Sequence, residues 1–127
     1  MPETYTIIIR GEKFVLSQAQ VEYDSPNYFT ACFLGEFTES QSRALELSRD
    51  PELFKIVLDY LSGYEVLPLH KSAIPKRMSS QAALRNLLAD AEFYQLDELI
   101  DQVNSAIEEQ TSVKPPYLSP YVLLCMV

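Results

Sequence analysis

Hydrophobic positions along this chain recur with two different periods, and the switches between them divide it into elements. Tyr5–Arg10 (YTIIIR) and Lys13–Leu16 (KFVL) are apolar, β-branched runs flanking Gly11-Glu12. The pattern predicts a hairpin with a two-residue turn, and glycine at the first turn position suits a type II′ turn. Ser17 is placed to cap a short helix that runs to Tyr23. Pro26 opens another helix in which Tyr28, Phe29, Cys32 and Phe33 share one side, and Gly35 closes it. Ala44-Leu45-Glu46-Leu47 reads as a short strand. Asp50 then caps a helix whose first residue is Pro51, because the carboxylate can accept a bond from an orphan N–H and proline has none to leave unpaired. Leu53, Val57 and Tyr60, with Phe54, Leu58 and Leu61, form a wide apolar stripe at helical spacing, and Gly63 ends it.

Downstream, Tyr64–Leu69 reads as a further strand stopped near Pro68. Leu69–Ser79 is a loop of mixed charge around Pro75. Ser80–Tyr94 is predicted helical, with Leu84, Leu87, Leu88 and Ala91 on the buried face and with Asp90 and Glu92 turned toward solvent. Asp97, followed by Glu98, caps a last helix with Leu99, Ile100, Val103 and Ile107 as its stripe. Glu108 and Glu109 near its C-terminus oppose the helix dipole. The segment Thr111–Val127 breaks regular structure at Pro115, Pro116 and Pro120, yet Tyr121–Val127 (YVLLCMV) is strongly apolar. Such a run does not belong free in water. Either it docks on the domain or on a neighbouring copy as an added strand, or the natural protein continues past it.

Composition narrows the class. A chain of 127 residues, 47% hydrophobic, can bury one core and is too short for two ordinary domains. A net charge of −8 disfavours nucleic acid, and the only basic cluster, Lys71, Lys76 and Arg77, falls in the loop. Two cysteines, Cys32 and Cys125, make no disulfide framework. No run is long enough for a membrane helix and no secretory segment is visible, so the reading is a soluble protein of a reducing compartment, cytoplasmic or nuclear.

Little in the chain points to catalysis, and no cofactor is expected. His70 is the single histidine, beside Lys71 in a loop, without a glycine-flanked serine or a nearby cysteine. Gly11, Gly35 and Gly63 are too dispersed to cradle phosphate. No Cys/His pairs stand at zinc spacing.

The run Ser25–Leu69 carries a family resemblance. Ser25, Pro26, Tyr28 and Phe29, then Phe33, Gly35, Glu39 and Ser40, then a strand, then Asp50, Pro51, Phe54 and Gly63, follow the order of a BTB/POZ domain. LSRDPELFKIVLDYLSG (47–63) is similar to the potassium-channel tetramerisation branch; FLGEFTES (33–40) is more similar to the kelch-linked branch. The resemblance covers roughly residues 5–109, leaving 110–127 as a tail. It implies an α+β fold, with a small sheet of about three to five strands covered by about five or six helices. It also implies protein–protein interaction, not chemistry. Phe37-Thr38-Glu39 matches the hydrophobic-x-Glu motif through which BTB adaptors contact cullin-3. Many such members also carry a tyrosine two residues before the glycine that ends the preceding helix. That position here is Leu61, and the aromatic stands at Tyr60, roughly 100° around the helix. The helix-and-strand exchange of long-form dimers has no counterpart in Met1–Thr4, so a short form is expected. Asp50 and the tail residues Tyr121, Val122, Leu123 and Leu124 are then the candidates for self-association. Two functions follow: an adaptor for a cullin-3 ubiquitin ligase, or an assembly domain without a ligase link that sets the stoichiometry of a channel or transcription regulator.

Overall fold

The computed structural model describes residues 4–34 and 44–111. Strands β1 (Thr4–Ile9) and β2 (Glu12–Ser17) form an antiparallel hairpin with Ile9 opposite Glu12. The connecting residues are therefore Arg10 and Gly11, one position earlier than the expected Gly11-Glu12. Both have positive φ, 51° and 85°. Positive φ at both central residues defines the type I′ turn, whose twist suits a hairpin as well as the expected type II′ does. Side chains alternate across β1, so Tyr5, Ile7 and Ile9 are buried. Phe14 and Leu16 of β2 join them.

Strand β3 (Ala44–Leu47) lies parallel to β1 and gives a three-stranded sheet of order β2-β1-β3. Between β2 and β3 run two short helices. Helix α1 (Gln18–Glu22) opens on a capping box between Ser17 and Gln20. Helix α2 (Tyr28–Phe33) is capped by Asn27 and Thr30 and starts two residues inside the expected start at Pro26. The amide of the buried Asn27 also donates to the Val21 and Tyr23 carbonyls, which ties α2 to the end of α1.

Helix α3 (Pro51–Leu61) starts and stops where its local signals place it. The Asp50 carboxylate accepts from Leu53 N at 2.8 Å. At the other end Gly63 has φ 90°, with Gly63 N bonded to Tyr60 O and Tyr64 N to Asp59 O, the two bonds of a Schellman closure. Tyr64–Leu69 forms no strand. Val66, Leu67 and Leu69 pack half-buried against the core, but the segment joins no ladder among the described residues. A short 3-10 turn (Lys71–Ala73) leads to α4 (Ser80–Tyr94) and α5 (Asp97–Thr111).

Helix α5 packs along α4, and α3 and α2 pack on α4 in turn. Where they meet, Phe29 of α2 stacks on Tyr94 of α4 at 5.0 Å, and Phe54 of α3 meets the same ring edge-on at 5.6 Å. Phe14 carries the aromatic contact on to the sheet, 4.9 Å from Phe54. The structure is thus of the α+β class: among the described residues a three-stranded sheet and five α-helices around one core.

Candidate functional site

Helix α4 was expected to turn Asp90 to solvent. Instead Asp90 is 4% exposed. It stands three residues after Leu87 and four before Tyr94, on the buried stripe with Ala83, Leu87 and Tyr94. What makes burial tolerable is Arg49, from the turn after β3. Its Nε and Nη2 both donate to Asp90 Oδ1, at 3.1 and 2.6 Å, and its guanidinium lies 4.5 Å over the ring of Phe93. Burial pushes the Asp90 carboxyl up, and the Arg49 bond and charge offset only part of this. Asp90 Oδ2 and the Tyr94 hydroxyl, one helical turn apart, have no partner among the described residues. The Tyr94 phenol is pushed upward by burial first and by the Asp90 charge second.

Asp50 sits beside this pair. Its Oδ2 caps α3, while Oδ1 is paired with Arg77 and lies 3.8 Å from Arg10. Burial alone would raise this carboxyl. The Arg77 and Leu53 N–H bonds, with the two arginine charges, outweigh it and hold it below the ordinary range. Asp50 is itself buried, so the sequence-based candidacy of Asp50 for self-association is corrected: its oxygens are engaged internally, and its arginines form the surface there. Arg10, Arg49 and Arg77 surround Asp50 and Asp90 in a cleft of about 260 Å³. Three cations against two anions leave the cleft locally positive on an acidic chain. Arg10 and Arg77 are more than half exposed and keep N–H donors free to face outward.

Tyr60 also departs from expectation. A partner-contacting residue must show its ring, but Tyr60 is 3% exposed and Leu61 is buried with it. The Tyr60 ring meets Tyr23 edge-on at 5.2 Å, and its hydroxyl donates to Asp24 Oδ2 at 2.6 Å. Burial, then that bond, raises the phenol well above its usual titration. The same carboxylate oxygen accepts from Glu98 N at 3.0 Å and lies 3.4 Å from Leu99 N. The cap of α5 is therefore supplied by Asp24 from across the molecule, not by Asp97, which is the first residue of the helix. Asp24 has φ 55°, a left-handed conformation that aspartate tolerates better than most residues.

Large apolar side chains reach solvent at Val15, Tyr23, Leu34, Tyr64 and Phe93 among the described residues, and two of these, Leu34 and Phe93, flank α2. Leu34, its C-cap, is exposed and leads into residues 35–43. Near the other end, half-buried Tyr28 touches Phe93 of α4 at 5.0 Å, and Phe93 is 36% exposed. Phe93 is thus held between the Tyr28 ring and the Arg49 guanidinium. Phe37, Thr38 and Glu39 lie outside the described residues, as do Tyr121, Val122, Leu123 and Leu124.

His70 is an exposed local cap. Its Nδ1 accepts from Ser72 N at 3.1 Å and is 2.8 Å from Ser72 Oγ. Among the described residues no group of three or more His, Cys, Asp or Glu side chains is placed to hold a metal ion, and no helix is long and apolar enough to cross a membrane. Sequence reasoning missed Arg49, Asp90, Phe93 and Asp24. For Asp90 the signal was its place on the apolar stripe; for Asp24 no local signal exists. The profiles of known families and the curated proteins contain no match to this chain.

Proposed function

We propose that this chain is a protein-interaction domain of the BTB/POZ kind that self-associates and recruits a partner. The observation that carries the reading is the order of elements with the motif residues at their junctions. A helix bearing Tyr28 and Phe29 is followed by a strand at Ala44–Leu47, then by a helix capped by Asp50-Pro51 and closed by Ser62-Gly63. The partner surface we assign is the end of α2: exposed Leu34 leading into Phe37-Thr38-Glu39. An apolar anchor beside a carboxylate suits a pocket on a partner helix, and the partner we propose is cullin-3. The positive cleft of Arg10 and Arg77 is the surface we assign to self-association. The setting is the cytoplasm or nucleus.

A second reading, an assembly domain with no ligase link, is favoured by that cleft alone. Two variants separate the readings. Phe37→Ala with Glu39→Ala abolishes capture of purified cullin-3 and leaves the mass by light scattering unchanged if the adaptor reading holds. Arg10→Glu with Arg77→Glu lowers the mass in either case. Absence of capture by the unmodified chain refutes the adaptor reading, and a monomeric mass for the unmodified chain refutes self-association.

A further inference from the structure

The segment after α3 is apolar, bends at Pro68 and joins no ladder among the described residues. Among the described residues, the backbone groups of Glu65–Leu69 enter no hydrogen bond, although Val66, Leu67 and Leu69 are packed half-buried on the core. Unpaired backbone beside apolar side chains is an arrangement that accepts a docking segment. A groove of about 450 Å³ runs beside it, with Leu67 and Leu69 on one wall, Leu84 of α4 on the floor, and Ala106 and Glu109 of α5 on the other wall. A contiguous hollow of about 430 Å³ extends it along α5 to Gln102.

We propose that the chain's own segment Tyr121–Val127 occupies this groove, against Leu67 and Leu69. Three observations support that occupant. Helix α5 ends at Thr111, two residues past the groove wall at Glu109, so the chain leaves the helix at the groove's edge. The intervening residues 112–120 can span about 30 Å. The groove wall from Gln102 to Glu109 is only about 10 Å of helix, so every point of it is within reach. Finally, residues 112–127 carry one charge, Lys114, and the groove carries one, Glu109, of opposite sign. A tether this short holds the segment at millimolar effective concentration, so a modest contact suffices.

Residue-resolved amide hydrogen exchange on the full chain tests this. The amides of Leu67 and Leu69 are expected to exchange at least tenfold more slowly in the unmodified chain than in Leu123→Asp with Leu124→Asp. Ala106→Arg, which fills the groove from α5, is expected to deprotect the same two amides, with unchanged far-ultraviolet circular dichroism in both variants. Equal exchange in all three proteins overturns the proposal. Protection that rises with protein concentration, with a dimeric mass, overturns it in favour of a second copy's segment. Protection gained only on adding another protein overturns it in favour of a foreign strand.

Discussion

Asp24 offers the sharpest test of how this fold is held. Its carboxylate closes the N-terminus of α5 and receives the hydroxyl of the buried Tyr60. Asp24→Ala removes a helix cap, worth about 1 kcal/mol. It also leaves the Tyr60 hydroxyl without an acceptor. That costs about 1 kcal/mol, the lower end of the range, because Asp24 is half-buried and water can enter beside it. Alanine at φ 55° adds about 1 kcal/mol of backbone strain. The expected loss is about 3 kcal/mol, a large part of a typical domain's stability. Asp24→Asn keeps the backbone and one acceptor but loses the charge at the helix dipole, and should cost about 1 kcal/mol. A double-mutant cycle isolates the key link. In an Asp24→Ala background, Tyr60→Phe should cost less than it does alone, with a coupling of about 1 kcal/mol by urea unfolding. Additivity of the two changes within the error of the cycle, or a loss below about 0.5 kcal/mol for Asp24→Ala, would refute the reasoning.

Three further outcomes follow from the same geometry. Arg49→Ala strands Asp90 as a buried charge and is expected to cost about 3 kcal/mol, with Asp90→Asn recovering part of the loss in the double variant by thermal melting. The two carboxylates of the cleft have opposite pH signatures. Asp50, held below its ordinary value, contributes stability that is complete above about pH 4 and lost as pH falls through its folded value. Asp90, pushed up, makes the native state take up a proton before the unfolded chain does, so stability rises as pH falls from neutral toward about 4. Urea midpoints from pH 3 to 7 should show that rise flattened in Asp90→Asn and the acid loss reduced in Asp50→Asn. Gly63→Ala should cost about 1 kcal/mol through backbone alone, since a Cβ there meets open space. Gln95→Gly should gain up to about 1 kcal/mol, because Gln95 holds φ 60° at the end of α4. Chemical denaturation measures both, and an opposite sign in either would reject the backbone argument.

The pattern of what was legible follows from the range of each cause. Both ends of α3 could be read because Asp50, Pro51 and Gly63 act within one turn of the helix end they define. Helix α4 was read from end to end by its period, and the structure adds Ser79 as its cap. The hairpin was located but its turn was set one residue late, since a glycine fits the second position of one turn type as well as the first of another. Tyr64–Leu69 has strand composition, but composition names no partner. Asp90 was assigned by residue type where its spacing placed it on the apolar face; the arginine that neutralises it comes from another element. Asp24 acts on Glu98, and no local pattern connects them. Of the candidate site, Asp50 was legible as a helix cap, whereas the Arg49–Asp90–Phe93 support was not.

The parallel pairing of β1 with β3 carries a kinetic consequence. The β1–β2 hairpin closes a two-residue turn and can form within microseconds. Ala44 and Thr6 are 38 residues apart in sequence, so their pairing carries a larger closure entropy than the hairpin and β3 is expected to join late. Until then one edge of β1 is open to any extended chain. Substitutions in β3 should therefore accelerate unfolding with little effect on the folding rate, whereas Gly11→Ala in the turn should slow folding. A chevron analysis in which β3 variants fold as slowly as hairpin variants would place the parallel pairing in the nucleus instead.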